Sequence, residues 1–160
     1  CDLVDRMYGV PAREKTPLVI ASAGGFPKDL NFYQTIKTLS NALEVVEEGG
    51  TIILVTQSQE GFGNADTQRQ IAGFNTMLER EKDLRENFSI GAFIGYLFAE
   101  SAEKYHMIVV TGMDQSDFGT ANIHAVRTLD EALDLSRRLN GKDLQATLMP
   151  HGANTLPKFQ

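Results

Sequence analysis

The sequence predicts an α/β fold of three layers, in which helices cover both faces of a mostly parallel sheet. Short apolar segments rich in β-branched residues alternate along the chain with longer segments whose apolar residues recur at helical spacing. Strands separated by helices are joined by crossovers, and these place the strands parallel and the helices against the sheet. The expected domain is therefore Rossmann-like in the general sense of that term.

Five segments are predicted to be strands, because each is short, apolar and bounded by glycine or polar residues. The clearest is 18–22, which is followed by Gly24-Gly25, and the next is 51–56 with the sequence TIILVT. The remaining predicted strands are 107–111, 123–126 and 146–149. The residues after 149 are expected to form a polar tail.

The first predicted helix covers 30–48. Asp29 is its expected N-cap and Gly49-Gly50 its expected end. Its buried stripe is expected to consist of Phe32, Ile36, Leu39, Leu43 and Val46.

Three further helices are predicted, at 66–86, 90–104 and 129–139. Thr128 and Glu131 have the spacing of a capping box at the start of the last helix, which is expected to end at Asn140-Gly141. The charges of 79–86 are expected to lie on an exposed face. The residues of this region expected in the core are Met77, Leu78 and Leu84.

Composition is typical of a globular protein with one domain, here 1–160. The chain has 15 Lys and Arg against 21 Asp and Glu, and its net charge of −6 argues against general nucleic-acid binding. The single cysteine, Cys1, excludes an intramolecular disulfide, and no apolar run is long enough to span a membrane. We therefore expect a cytoplasmic protein with no nucleic-acid or membrane partner. The start at Cys rather than Met suggests a piece of a longer chain.

The segment 21–37, ASAGGFPKDLNFYQTIK, carries the strongest functional signal. Ligands of open parallel sheets bind beyond the carboxyl ends of the strands, where this segment begins. Gly24-Gly25 permits a close approach to a ligand, and Lys28 adds a cation. Gln34 and Lys37 are three residues apart on one helix face, so an amide and an ammonium can together hold a carboxylate and a neighbouring hydroxyl.

The same segment also fits a domain without catalytic function. A glycine pair after a strand is common in α/β folds, and a Gln and a Lys at this spacing usually lie on a solvated face. The segment is neither a G-x-G-x-x-G fingerprint nor a P-loop. On these residues alone, a non-catalytic Rossmann-like module that binds a nucleotide or a small acidic metabolite stays open.

Three motifs, in chain order, resemble the C-terminal domain of the nickel-dependent lactate racemase family. They are GGFPKDLNFYQTIK from residue 24, EEGGTIILVTQSQEGFG from residue 47 and MPHGANTLP from residue 149. The first motif is the specific one, and together the three span nearly the whole chain. The resemblance implies that the chain is the C-terminal domain of a larger two-domain protein, with an N-terminal domain as its partner.

This resemblance implies an isomerase that racemises or epimerises a small 2-hydroxy acid. Members of the family use a nickel-pincer nucleotide, to which hydride moves from C2 of the substrate before it returns to the other face. The tethering lysine, the nickel-binding histidine and the base histidines belong to the N-terminal domain. The chain alone is therefore expected to bind no cofactor, to hold no metal and to show no racemase activity.

By motif match, Gln34 and Lys37 are the expected catalytic and substrate-binding residues, and Tyr33 is a further candidate for a substrate contact. The loop expected near the cofactor consists of Gly24, Gly25, Lys28 and Asp29. Some lactate-specific members contribute a tryptophan from this domain, whereas this chain has none and 93–98 is apolar. The identity of the 2-hydroxy acid therefore stays open, as does a homologue that kept the fold without the reaction.

The other polar residues are expected to be structural or solvated. His106 and His124 match no metal-ligand spacing and are expected to be structural, whereas His151 is a candidate for a domain interface. The loop carboxylates expected to be solvated are those of Glu60, Asp114 and Asp117.

Overall fold

The computed structural model describes residues 7–141 and 144–159, so Cys1 lies outside the described residues. Its main feature is a five-stranded sheet with the order β5-β4-β3-β2-β6, in which all neighbouring strands are parallel. The strands are β2 (Thr16–Ser22), β3 (Val46–Val55), β4 (His106–Val110), β5 (Ile123–Val126) and β6 (Ala146–Met149). All five predicted strands are confirmed, with β3 five residues longer at its start than predicted.

In the part of the chain from Gly9 to Phe159 that the structure describes, five α-helices and two short 3₁₀ helices lie between these strands, and a third 3₁₀ helix follows β6. The α-helices are α1 (Ile36–Val45), α2 (Ala65–Ala72), α3 (Met77–Glu86), α4 (Ile90–Lys104) and α5 (Leu129–Asn140). The 3₁₀ helices are Phe32–Thr35, Gln115–Phe118 and Gly152–Asn154. The predicted capping box at the start of α5 is confirmed, because the Thr128 side chain accepts from Glu131 N while the Glu131 carboxylate accepts from Thr128 N.

The two faces of the sheet are buried by different helices. Along β3, Ile52 and Leu54 point into the larger core with α1 and α4, whereas Ile53 between them points to the opposite face. There it packs in a smaller core with Ala132 of α5. Alternation with a period of two residues thus gives each strand two apolar faces. The predicted three-layer α/β class is confirmed.

A second, two-stranded sheet was not predicted. It consists of β1 (Gly9–Ala12) and β7 (Leu156–Phe159), which pair in parallel. The prediction of a polar tail after 149 is therefore wrong. Pro11 and Pro157 lie inside these strands, and a proline in a short run argues against a strand unless that strand lies at an edge.

The predicted boundaries of the first helix are wrong at both ends. The segment begins as the 3₁₀ helix, and its N-cap is Asn31 rather than Asp29, because Asn31 Oδ1 accepts from Gln34 N at 3.3 Å. At the other end the backbone is already extended at Val46. Gly49-Gly50 does not end a helix but lies inside β3, in a bulge beside Pro17 of β2. A Cβ on Gly50 would approach Pro17 O to 2.8 Å, so only glycine fits this contact.

The predicted helix 66–86 is two helices. The first ends at Gly73, and Thr76 starts the second through a capping box with Glu79. The prediction that 79–86 forms an exposed charged face is wrong for Arg80, which is buried and donates to the carbonyl oxygens of Gln70 and Ile71 at the end of α2. Leu78, predicted in the core, is instead exposed, while Met77 and Leu84 are half-buried.

Candidate functional site

The carboxyl ends of the five parallel strands form one edge of the sheet, which we call the carboxyl edge. The opposite edge, where the strands begin, is the amino edge. The loops that follow β2, β3 and β4 meet at the carboxyl edge, and hydrogen bonds join the first two. Four of these run from Ser58 N to Asp29 O (2.9 Å), Glu60 N to Leu30 O (3.0 Å), Phe32 N to Gly61 O (2.9 Å) and Tyr33 N to Phe62 O (3.1 Å).

Four phenylalanines support these loops from below. Phe32 begins the 3₁₀ helix, Phe62 lies in the loop after β3, Phe118 in the loop after β4, and Phe98 on α4. All four are buried. The ring centroid of Phe32 lies 4.4 Å from that of Phe98, 5.2 Å from that of Phe118 and 5.9 Å from that of Phe62. Ring pairs at these separations attract each other. The loops of the carboxyl edge are therefore anchored to the core through one aromatic cluster.

Gln34 and Lys37 lie on this frame, at the start of α1, and face each other as predicted. Lys37 Nζ donates to Gln34 Oε1 at 3.0 Å. Gln34 is half-buried, whereas Lys37 is exposed. Among residues 7–141 and 144–159, no carboxylate lies within ion-pair distance of Lys37 Nζ. Since the amide oxygen is occupied, the pair presents N–H donors and a positive charge outward, an arrangement suited to an anionic oxygen.

Tyr33 lies beside this pair in sequence, but its side chain is half-buried and packs against the main core. The structure therefore gives it a packing contact, and its proposed substrate contact stays a prediction.

The loop after β2 places Lys28 at the same edge. Gly24 and Gly25 have φ values of 99° and 74°, which glycine adopts without the strain of a Cβ. Lys28 N donates to Gly25 O at 2.8 Å, which closes the turn. Lys28 Nζ lies 2.8 Å from Asn154 once the amide of Asn154 is oriented with its oxygen toward the ammonium. The loop after β6 therefore adjoins the loop after β2, a contact that no local pattern of residues predicts.

Asp29, expected near a cofactor, serves a local role in the structure. Its carboxylate accepts from Gln57 N at 3.2 Å, and its backbone oxygen accepts from Ser58 N. Both bonds join the loop after β2 to the loop after β3, so Asp29 is part of the frame below the donor pair.

The expected solvated carboxylates make local contacts. Glu60 is exposed and accepts from Asn31 Nδ2 at 3.4 Å. The carboxylate of Asp114 pairs with Arg127, and Asp117 accepts from Asp114 N at 2.8 Å. All three side chains are partnered within the fold.

The histidines divide between the two edges. His106 and His124 are exposed and line a cavity of about 410 Å³ at the amino edge, away from the donor pair. His151 is exposed after β6, at the carboxyl edge. Within the described residues, no group of three or more His, Cys, Asp or Glu is placed to hold a metal ion. No helix in the same ranges has both the length and the apolar character needed to cross a membrane.

Shifted pKa values are found in side chains of α2, α3 and α4. Hydrogen bonds from Ser89 and Arg69 hold the pKa of Asp66 below its ordinary value. Burial lowers the pKa of the Arg80 guanidinium, which has carbonyl partners instead of a carboxylate. These shifts belong to contacts that join helices.

One residue of the frame that the sequence analysis missed is Phe62, which follows the predicted strand 51–56 and was given no role of its own. It is 6% exposed and touches two other rings of the aromatic cluster. The available signal was a large aromatic residue between Gly61 and Gly63 in an otherwise polar stretch. Both glycines have positive φ, so the loop folds back and buries the ring.

The fold and the carboxyl edge define a three-layer, Rossmann-like α/β domain with a cationic donor pair at the edge where open α/β sheets in general bind their ligands. The family model for the lactate racemase C-terminal domain matches residues 12–156. The chain belongs to the lactate racemase C-terminal domain family.

Individual relatives agree with this assignment. The chain is 28% identical over 169 residues to the lactate racemase of Lactiplantibacillus plantarum and 23% identical over 166 residues to that of Thermoanaerobacterium thermosaccharolyticum. These alignments cover 99% and 98% of the chain but 38% of each relative, so the chain spans well under half of their length.

Solved structures share the fold. The lactate racemase apoprotein from Thermoanaerobacterium thermosaccharolyticum superposes with a TM-score of 0.88 at 21% identity, over 99% of this chain and 39% of that one. A protein from Thermotoga maritima superposes with a TM-score of 0.65 at 13% identity, over 100% of this chain and 41% of that one.

Proposed function

We propose that the chain is the substrate-contacting C-terminal domain of an isomerase that racemises or epimerises a 2-hydroxy acid. The observation that carries the proposal is the contact of Lys37 Nζ with Gln34 Oε1 at the carboxyl edge of a lactate racemase-family domain. In this account Gln34 and Lys37 bind the substrate, and the remaining catalytic groups belong to an N-terminal domain that is the partner of this one.

The donor pair suits the oxygens of such a substrate. Lys37 has N–H groups left over after its bond to Gln34, and the Gln34 amide N–H groups donate to no acceptor within residues 7–141 and 144–159. A carboxylate accepts charge-assisted hydrogen bonds from these groups. When C2 changes between alcohol and ketone, the charge on its oxygen changes, and a fixed ammonium at Lys37 stabilises the more negative form.

The nucleotide cofactor proposed from the resemblance fits the loop after β2. A Cβ added at Gly25 would meet no atom within 4 Å, so this backbone faces open space, and the cation of Lys28 lies in the same turn. Lys28 would therefore bind an anionic part of the group. When bound, the nickel-pincer nucleotide supplies a reversible acceptor for the C2 hydride. We assign its attachment and its metal ligands to the N-terminal domain.

The test is racemisation by the full-length protein, loaded with its cofactor, on D- and L-lactate and a panel of other 2-hydroxy acids. We expect turnover of at least one acid, and a loss of about a hundredfold or more in kcat/KM for Gln34→Ala and Lys37→Ala. Lys104→Ala is the matched control. Lys104 is an exposed cation at the end of α4, at the amino edge, where it pairs with Glu100.

Two results would count against the proposal. If the cofactor-loaded wild type turns over no acid on the panel, the domain has a binding role or belongs to a homologue that lost the reaction. If Lys37→Ala behaves like Lys104→Ala, the substrate lies elsewhere. The isolated chain is expected to be inactive, since without the N-terminal domain the substrate is not positioned.

A further inference from the structure

Three buried hydroxyl groups form a chain below the donor pair, where β3 ends. Thr35, Thr56 and Ser58 are 0%, 1% and 2% exposed. The hydroxyls of Thr35 and Thr56 share a hydrogen bond at 3.0 Å, and those of Thr56 and Ser58 share another at 3.0 Å. Thr56 is therefore the central member, and its hydroxyl is the one on which both bonds depend.

This hydroxyl chain joins parts of the fold that are far apart in sequence. Thr35 directly follows Gln34 and is the last residue of the 3₁₀ helix. Thr56 is fixed to the sheet, because its backbone N–H donates to Val110 O at the end of β4. Ser58 lies in the loop that pairs with the loop after β2. The chain of hydroxyls thus ties the turn that carries Gln34 to the rigid end of the sheet.

Ser58 adds a second observation, because its φ of 50° is a left-handed conformation that a serine rarely adopts. In that conformation its N–H reaches Asp29 O at 2.9 Å while its hydroxyl reaches Thr56. Strained backbone persists where surrounding contacts fix it, and such sites are concentrated near functional groups. Here the strain lies beneath the loops that hold the donor pair.

We propose that Thr56, through its bonds to Thr35 and Ser58, is a positioning residue for the Gln34–Lys37 pair. The hydroxyl does not contact substrate. It holds the first turn before α1 in the geometry from which the amide and the ammonium reach the same ligand. This inference rests on the proposed function of that pair and adds the element that orients it.

The direct test measures hydrogen exchange of the Phe32, Tyr33 and Gln34 backbone amides in the full-length protein. Thr56→Val keeps the shape and removes both bonds, so exchange at these amides is expected to rise at least about tenfold. Thr56→Ser keeps the hydroxyl and should restore wild-type exchange. The matched control is Thr51→Val, within β3 and five residues before Thr56. Thr51 is equally buried and accepts from Asn140 Nδ2, but it lies at the amino edge.

Kinetics of the cofactor-loaded full-length protein provide the second measurement. Thr56→Val is expected to lower kcat at least about tenfold at a temperature where the protein is fully folded, because misplaced catalytic groups lose rate steeply. Thr56→Ser should stay within about threefold of wild type. Thr51→Val should leave kcat unchanged, even where it lowers the melting temperature as much as Thr56→Val does.

The outcomes separate the possible explanations. The inference is wrong if Thr56→Val leaves exchange or kcat at the wild-type level, or if Thr51→Val reproduces its effects, since the hydroxyl would then serve only general stability. Should Thr56→Val fail to fold, Ser58→Ala removes the outer bond alone and must still raise exchange at Gln34 and lower kcat. Failure of the proposed function itself shows separately, as a wild type without turnover, and the positioning role falls with it.

Discussion

The two edges of the sheet are built differently. At the amino edge the connections are short, and α1 passes directly into β3 at Val45–Val46. At the carboxyl edge the loops are long, bonded to each other and anchored on buried aromatic rings. Positive φ is concentrated there, at Gly24, Gly25, Ser58, Gly61, Gly63 and Gly119, whereas Gly49 and Gly141 have it at the amino edge. Strained backbone and contacts between loops are therefore concentrated at the carboxyl edge, where they hold side chains in fixed positions.

The largest expected effect comes from removing an anchor of the carboxyl edge. Phe32→Ala opens a cavity at the centre of the aromatic cluster, and we expect a loss of about 3–5 kcal/mol in the free energy of unfolding. Urea denaturation measures this loss. Phe88→Ala is the control, because Phe88 is 68% exposed, and it should cost less than about 0.5 kcal/mol. Similar losses for both would show that the rings do not anchor the loops.

Substituting one glycine at each edge allows a direct comparison of how closely the two edges are packed. Gly63 and Gly49 have nearly the same φ, 68° and 72°, so alanine brings similar backbone strain at each, about 1–2 kcal/mol. A Cβ on Gly63 would come within 2.3 Å of the Asn31 side chain, whereas one on Gly49 would meet nothing within 4 Å. Gly63→Ala should therefore cost at least about 1 kcal/mol more than Gly49→Ala in urea denaturation. Equal costs would contradict the close packing between the carboxyl-edge loops.

The smallest expected effect is a change in the pH dependence of folding stability. The pKa of Asp66, at the start of α2, is lowered in the folded protein by hydrogen bonds from Ser89 and Arg69. A carboxyl with a lowered folded pKa stabilises the fold above its unfolded pKa of about 3.9, and this stabilisation is lost as pH falls through the folded pKa. Asp66→Asn should therefore lower the urea midpoint at pH 7, and the difference from wild type should shrink below about pH 4.

Asp134→Asn is the control for that measurement. Asp134 lies on α5 and pairs with Arg137 in an exposed contact at 2.9 Å, so its loss should change the midpoint little at either pH. A difference for Asp66→Asn that persists at low pH would show that the effect is not electrostatic.

Much of the fold could be predicted from the sequence because its periodic signals are strong. The strands of the main sheet, α4 and the capping box at Thr128 follow from apolar runs and cap spacing. The start of β3 could not be predicted. Val46 and the glutamates after it fit a helix locally, whereas in the structure Val46 pairs with Thr16 of β2 and the strand bulges beside Pro17.

The candidate site was predictable in part. The spacing of Gln34 and Lys37 placed the two side chains on one face, and they are in contact. The contacts that support the pair were not predictable, because Phe62 and the hydroxyl of Thr56 lie far from it in sequence. They come to pack against the turn that carries Gln34 only through the fold of the sheet. Such contacts carry no local signal. The role of the pair itself is a proposal from family resemblance and donor chemistry.

The most direct test of the central claim is a crystal structure of the full-length protein with a 2-hydroxy acid, or its 2-keto counterpart, bound. The account predicts that Lys37 Nζ and Gln34 Nε2 each lie within about 3.2 Å of a substrate oxygen. A ligand bound without contact to either side chain, for example in the cavity of His106 and His124 at the amino edge, would contradict it.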